Sequence, residues 1–380
     1  MAVKIVRQPN KIALLGSPTS AAALSAGHEG APAALRAAGL VDRLRSVGYE
    51  VTDLGDDPIQ LHKPDEDSPR ARNLRGVLAA LEALKPRVEQ AVKSGALPLI
   101  LGGDCSIALA AVAGARRYFR HVGLVYMDSD ADLLTPGTTS SGCVDGMVIS
   151  HIIGRGAAEM VRFWGEPPLV REPDIALFGV TRVEPAEEQV LQQSPLRRYL
   201  AADVQRKGAG AAAEEAIARI HGAGSEFILH LDVDVISDFQ ATNYPSTDGL
   251  LLREVHEALE VFAKQKHLAA IEICAYNPAK DSDGSGATQV IDLVVDVLAK
   301  RLEAQKAATA PEPIAAAAGV SEGQASAGAP PAAAPVAEGE PALPAPKAGE
   351  AWSPESLEIE PESSGNEPHK EAENPDESQP

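Results

Sequence analysis

Short aliphatic runs alternate with longer segments of helical periodicity over the first 306 residues. The runs predicted as strands are residues 11–16, around 50–54, 97–102, 122–128, 174–180, 226–232 and 268–274. The segments predicted as helices lie near residues 31–47, 71–94, 105–117, 146–154, 187–200, 207–222, 251–266 and 284–305. This alternation predicts an α/β fold in which helices cover both faces of a mainly parallel sheet.

The composition changes near Lys306. Residues 307–380 hold 13 of the 29 prolines, and their 14 acidic and two basic residues contribute −12 of the chain's net charge of −20. Such a segment cannot bury enough apolar surface to offset the entropy of ordering it. We therefore predict a folded domain over residues 1–306 and a disordered, acidic tail rich in alanine, proline and glutamate over residues 307–380.

Charge and cysteine content exclude several classes of protein. Neither part of the chain carries a basic stripe, which argues against a nucleic-acid partner. An acidic surface is repelled by anionic membranes, and no apolar run reaches the ~18 residues of a membrane span. The amino-terminal residues do not resemble a signal peptide, and three cysteines without framework spacing favour a reducing compartment. We expect a cytoplasmic protein.

Chemically active side chains follow three of the predicted strands directly. They occur in the segments 103–106, 128–132 and 232–234. Functional groups of open parallel sheets gather beyond the carboxyl ends of the strands, so these segments are expected to meet in one crevice. The side chains that would converge there are Cys105, Asp128, Asp130, Asp132, Asp232 and Asp234.

Five carboxylates and a thiol at one place predict bound divalent cations. Like charges this close raise one another's pKa values, and a cation relieves the repulsion. Six such ligands suit a pair of ions, an arrangement that activates water for hydrolysis. Carboxylates favour Mn²⁺ or Mg²⁺, whereas a thiolate favours Zn²⁺ or Fe²⁺. Taken singly, each cluster has a structural alternative: an acidic pair can cap a turn, and Cys105 can be a small buried residue.

Several motifs resemble those of the arginase–agmatinase–formimidoylglutamase family, and the resemblance covers most of residues 10–305. Residues 27–32 resemble its opening motif, and LGGDCS resembles its GGDHS. The run DSDADLLTPGTTSSGCVDG, which begins at Asp128, matches the family pattern DAHTDINTPLTTTSGNLHG without a gap. LHLDVD resembles the family's second metal-binding motif, and AYNP resembles EVNP.

The resemblance implies a three-layer α/β/α fold around an eight-stranded sheet and two Mn²⁺ ions per chain. It also implies a role in arginine metabolism. The implied reaction is attack of metal-bound hydroxide on the carbon of a small guanidino or amidino substrate. Relatives commonly form trimers or hexamers, so a homo-oligomer is expected.

Site roles follow from the resemblance, position by position. One metal would be held by Cys105, Asp128, Asp132 and Asp232, and the other by Asp128, Asp130, Asp232 and Asp234. Asp132 would also orient the nucleophile. Asp145 stands at the position of a proton-shuttling histidine, although an aspartate before a helix can equally be a cap. Thr139, Ser141 and Glu184 stand where relatives bind the amino-acid end of the substrate.

Departures from the family pattern leave two hypotheses. Cys105 and Asp130 replace histidine ligands with other competent ligands, whereas Ala275 and Leu134 replace a guanidinium-binding glutamate and an asparagine. The first hypothesis is a metallohydrolase of linear amidines or modified guanidines such as hydroxyarginine, because a hydroxyarginine-cleaving branch also carries cysteine in its GGD motif. The second is an inactive relative that serves as an assembly or sensing partner.

Overall fold

The computed structural model describes residues 5–220 and 226–309. Its strands are β1 Lys11–Gly16, β2 Glu50–Asp56, β3 Leu97–Leu101, β4 Val122–Met127, β5 Ile175–Val180, β6 Arg197–Leu200, β7 Glu226–Asp232 and β8 Leu268–Cys274. Its helices are α1 Ala31–Ala37, α2 Leu40–Ser46, α3 Leu74–Ser94, α4 Ala108–Arg116, α5 Val148–Ile152, α6 Ala158–Val161, α7 Pro185–Gln193, α8 Ala201–Lys207, α9 Ala209–Ile220, α10 Leu252–Lys264 and α11 Ser285–Thr309.

The eight strands form one sheet in the order β2-β1-β3-β8-β7-β4-β5-β6, and every ladder is parallel. This confirms the predicted α/β fold. The six inner strands are buried on both faces, apart from a half-buried first residue in β1 and in β7. Burial on both faces explains why they read as continuous apolar runs rather than as alternating patterns.

Two hydrophobic layers cover the sheet, one on each face. In β3, Leu99 and Leu101 point into the layer that includes α1, α2 and α8 to α11, whereas Ile100 points into the layer of α3 to α6. Val125 and Tyr126 of β4 divide between the layers in the same way. Successive side chains of a strand point to opposite faces, so the alternation produces the three-layer arrangement.

The strand order brings the candidate residues together. Strands β3, β8, β7 and β4 are neighbours in the middle of the sheet, and the three predicted clusters follow β3, β4 and β7. Strand order reverses in this region, and such switch points open a crevice at the carboxyl edge of the sheet.

Strand β6 was predicted as part of a helix over residues 187–200, and that prediction is wrong from residue 194 onward. Helix α7 ends at Gln193, and residues 197–200 form an edge strand paired with β5. The edge strand is only half-buried, so its sequence lacks the continuous apolar pattern of the inner strands. The predicted helix near 31–47 is two helices, since Gly39 adopts a left-handed conformation (φ 92°) between them.

Helix α11 continues the folded domain to Thr309, three residues past the predicted boundary. Residues 310–380 lie outside the described residues, so the disordered tail stays a prediction. None of the helices in residues 5–220 and 226–309 is long and apolar enough to cross a membrane.

Candidate metal centre

A cleft of about 170 Å³ opens where β3, β4, β5 and β7 end. Of the ten residues predicted for the site, nine line it: Cys105, Asp128, Asp130, Asp132, Ser141, Asp145, Glu184, Asp232 and Asp234. Thr139 is not part of the lining; its hydroxyl accepts the Gly142 N–H at 2.9 Å. Cavities for drug-sized ligands measure roughly 300–1,000 Å³, so this cleft suits a small molecule.

The turns after β4 and β7 are held by the acidic side chains themselves. The Asp128 carboxylate accepts the N–H of Asp130 at 2.7 Å, and the Asp232 carboxylate accepts the N–H of Asp234 at 2.7 Å. Ser129 joins the two turns, because its N–H donates to the Asp234 carboxylate at 3.2 Å and its hydroxyl donates to the Asp234 carbonyl at 3.0 Å. These bonds hold the carboxylates of both turns close together.

Two sets of three ligands form around Asp128. Oxygen and sulfur atoms of Cys105, Asp128 and Asp232 lie within 4.8 Å of one another, and so do oxygens of Asp128, Asp130 and Asp234. Both sets are drawn from separate segments of the chain, as the spacing predicted. The carboxylate of Asp132 belongs to neither set and accepts a hydrogen bond from the Tyr126 hydroxyl at 2.5 Å.

Burial leaves negative charge at this centre costly. Burial, followed by the charge of Asp232, raises the pKa of Asp128 well above its ordinary value. Burial and the neighbouring Asp234 do the same to the pKa of Asp232. Burial raises the pKa of Asp234 to about 6, although the positive charge of Arg182 opposes the rise. A bound cation would lower all three pKa values by compensating the charge.

Arg182 is a site residue that the sequence did not predict. Its Nε and Nη2 donate to the two carboxylate oxygens of Asp130 at 2.8 and 2.7 Å, and Nη2 also donates to Asp234 at 2.5 Å. A parallel bridge between Asp130 and Arg182 places the guanidinium there. Burial would lower the pKa of Arg182, but the two carboxylates outweigh it and raise the pKa. The guanidinium thus supplies a positive charge to Asp130 and Asp234, two of the three residues of the second ligand set.

Asp145 is buried, and its side chain contacts the backbone of Cys105 rather than the ligand atoms of the centre. Its carboxylate accepts the N–H of Cys105 at 2.8 Å, and it is the first residue of a 3-10 turn rather than a solvated cap. Burial, followed by the charge of Asp104, raises the pKa of Asp145 well above its ordinary value.

The first turn of α7 lines part of the cleft. Glu184 precedes this helix, and its N–H donates to the Glu187 carboxylate at 2.8 Å. The second oxygen of Glu187 accepts the N–H of Leu133 at 2.8 Å, so Glu187 ties α7 to the loop after β4. Glu187 also lines the cleft. The sequence offered a signal for it, because it lies three residues after Glu184 in a capping pattern.

Comparison with known proteins places this geometry in a family. Residues 10–299 match the model of the Arginase family. The arginase of Bacillus caldovelox is 30% identical over 297 residues, which cover 77% of this chain and 99% of that protein. The arginase of Bacillus subtilis is 29% identical over 293 residues, covering 77% and 98% respectively. The crystal structure of the arginase from Bacillus cereus superimposes with a TM-score of 0.70 at 27% identity, covering 76% of this chain and 98% of that chain. The chain therefore belongs to the arginase family.

Proposed function

We propose that the protein is a metal-dependent hydrolase that cleaves a C–N bond in a small guanidino or amidino compound. The observation that carries this proposal is the meeting of five carboxylates and Cys105 at one buried cleft, in a chain whose relatives are named arginases. The small size of the cleft and its acidic lining suit a cationic substrate of this class.

The residues present fit divalent cations. Cys105, Asp128 and Asp232 offer three buried ligand atoms, and their raised pKa values mark charge that an ion would compensate. We propose two Mn²⁺ ions per chain, with Asp128, Asp130 and Asp234 holding the second. Arg182 pairs with Asp130 and Asp234, so its guanidinium would have to leave these carboxylates for them to hold a second ion.

Bound divalent ions would activate water and stabilise the negative charge that develops during hydrolysis. Around them, Asp132 is oriented by the hydroxyl of Tyr126, which suits it to position the attacking water. Asp145 lines the cleft and can hold a proton on its buried carboxyl group for transfer to the leaving amine. Ser141 and Glu184 would bind the end of the substrate that lies away from the reacting carbon. The Thr139 hydroxyl lies 3.4 Å from the Ser141 hydroxyl and would help to orient it.

Two apolar residues bear on substrate choice. Leu134 lines the cleft and cannot hydrogen-bond a guanidinium. Ala275 is fully buried, and its N–H donates to the carbonyl oxygen of Gly103 at 2.8 Å. We therefore propose a modified guanidine, such as hydroxyarginine, or a linear amidine as substrate. We further propose a cytoplasmic homo-oligomer, trimeric or hexameric, in keeping with the resemblance to the family.

One observation favours the alternative of an inactive relative. Arg182 already compensates the charge of Asp130 and Asp234, which removes part of the drive for a second ion. An inactive assembly or sensing partner with the same fold would need only this charge compensation and no metal ion.

A substrate screen of the full chain loaded with Mn²⁺ tests the proposal. Guanidino and amidino compounds are incubated with the protein, and released urea, hydroxyurea or ammonia is measured. The Asp128→Asn variant should lose at least about 100-fold in turnover because both ligand sets include this residue. Asp42→Asn, at an exposed position of α2, is the matched control and should retain turnover. Release of product by Asp128→Asn at the unmodified rate would refute the proposed role of the centre.

A further inference from the structure

A second cluster of metal-binding side chains lies in the core beneath the cleft. The sulfur atoms of Cys105 and Cys274 and one ring nitrogen of His230 lie within 4.8 Å of one another. All three residues are at most 1% exposed. Two of them, Cys274 and His230, do not line the cleft and have no part in the proposed hydrolysis.

The register of the central strands assembles this cluster. His230 of β7 lies opposite Glu272 of β8, and Asp232 lies opposite Cys274. Residues two apart on a strand share a face, so all four point to the same side of the sheet. Cys105 reaches the same place from the turn after β3, with its sulfur 2.9 Å from Asp232 Oδ2.

The imidazole of His230 is held in one orientation. Its Nδ1 lies 3.0 Å from the Glu272 carboxylate, and its ring stacks on Tyr126 with 4.2 Å between the centroids. Its Nε2 is buried, and the imidazole also interacts with the side chain of Cys274.

We propose that Cys105, Cys274 and His230 bind a Zn²⁺ ion. Two sulfur ligands and one imidazole form a set that zinc prefers over manganese. A carboxylate on Nδ1 is the usual partner of a metal-bound histidine, and Glu272 supplies it. The carboxylate of Asp232 is the nearest candidate for a fourth ligand.

Binding would convert both thiols to thiolates and release two protons, and the two thiolate charges would neutralise the ion. The ion would tie β7 and β8 to the turn after β3, which carries Cys105. It differs from the carboxylate centre in its ligands Cys274 and His230, although Cys105 and, as a fourth ligand, Asp232 are common to both. The inference goes beyond the proposed hydrolysis and does not require it.

Zinc analysis of the full-length protein tests the inference. After expression with added zinc and dialysis against a weak chelator, we expect about one zinc ion per chain, bound by sulfur at about 2.3 Å and nitrogen at about 2.0 Å in X-ray absorption spectra. Cys274→Ala should lower the zinc content at least tenfold. Cys143→Ala, which also removes a buried thiol but one outside the cluster, should leave the zinc content unchanged.

Three results would overturn the inference. They are full zinc content in Cys274→Ala, an absorption spectrum of the unmodified protein without sulfur ligands, and loss of two free thiols in the unreduced protein through a Cys105–Cys274 disulfide. The spectrum keeps the inference testable if Cys274→Ala does not fold. Zinc bound by sulfur without any product in the substrate screen would contradict the proposed function alone, and product without such zinc would contradict this inference alone.

Discussion

Replacing Arg182 with methionine should strengthen manganese binding while weakening the metal-free fold. The substitution keeps an unbranched apolar side chain and removes the guanidinium that pairs with Asp130 and Asp234. Without the guanidinium, Asp234 is a buried carboxylate with no cation beside it, and its charge must be neutralised by a proton or compensated by a metal ion.

The size of the effect follows from the exposure of the partners. Breaking a buried ion pair costs ~3–5 kcal/mol, and breaking an exposed one costs less than ~1 kcal/mol. The side chains of Arg182 and Asp130 are 36% and 40% exposed, whereas that of Asp234 is 1% exposed. We therefore expect the metal-free protein to lose about 2 kcal/mol of unfolding free energy. The same ~2 kcal/mol would no longer oppose the incoming ion, which corresponds to about 30-fold tighter binding.

Two titrations measure these quantities. Urea unfolding in the presence of a chelator gives the stability of the metal-free proteins, and calorimetric titration with Mn²⁺ gives the affinity. Arg182→Lys is the control because it keeps the positive charge but loses the fork of donors, and it should bind Mn²⁺ less than about tenfold more tightly than the unmodified protein. Equal Mn²⁺ affinity in the methionine variant and the unmodified protein would refute the competition between Arg182 and the second ion.

Three further substitutions test how the fold supports the centre. Gly103→Ala would place a Cβ 1.7 Å from the carbonyl oxygen of Thr19, so thermal unfolding should show a free energy of unfolding lower by about 3 kcal/mol. An unchanged melting temperature would contradict this close approach. Tyr126→Phe removes the hydrogen bond to the buried Asp132, which should cost the metal-free protein about 2 kcal/mol in urea unfolding, whereas a neutral result would exclude that bond. His28→Phe should become more stable relative to the unmodified protein by about 2.5 kcal/mol between pH 7 and pH 4.5, and a constant difference would refute the burial of a neutral imidazole.

The sign of the His28 effect follows from its buried imidazole. Burial lowers the pKa of His28 from 6.5 to about 4, although Glu29 raises it and Lys280 lowers it further to a smaller extent. Between these two values the unfolded chain binds a proton that the folded protein excludes. The stability that the neutral imidazole allows at pH 7 is therefore lost as the pH falls from 6.5 toward 4, and a phenylalanine has no such loss.

The sequence predicted the acidic part of the site because parallel sheets impose a simple rule. Asp128 and Asp232 directly follow inner strands, and the carboxyl ends of neighbouring parallel strands meet at one edge. Strand β6 escaped prediction because an edge strand needs no continuous apolar pattern, and its pairing with β5 decides its conformation. The same limit applies wherever tertiary pairing overrides local preference.

The positions of Arg182 and of the cluster of Cys105, His230 and Cys274 could not be predicted from the spacing of residues along the sequence. An arginine after a strand is typical of a solvated loop, and only the bridge to Asp130 turns it toward the acidic side chains. His230 and Cys274 lie within apolar runs and are typical of strand packing. Their meeting depends on the register between β7 and β8, and a shift of one residue would turn them to opposite faces.

A crystal structure of the protein grown with Mn²⁺, with diffraction recorded at the manganese absorption edge, would locate the ions in the cleft. We expect anomalous density among Cys105, Asp128 and Asp232, and a second peak among Asp128, Asp130 and Asp234 when Arg182 has moved away. Absence of manganese from both positions, with Arg182 still paired to Asp130 and Asp234 at saturating Mn²⁺, would contradict this expectation.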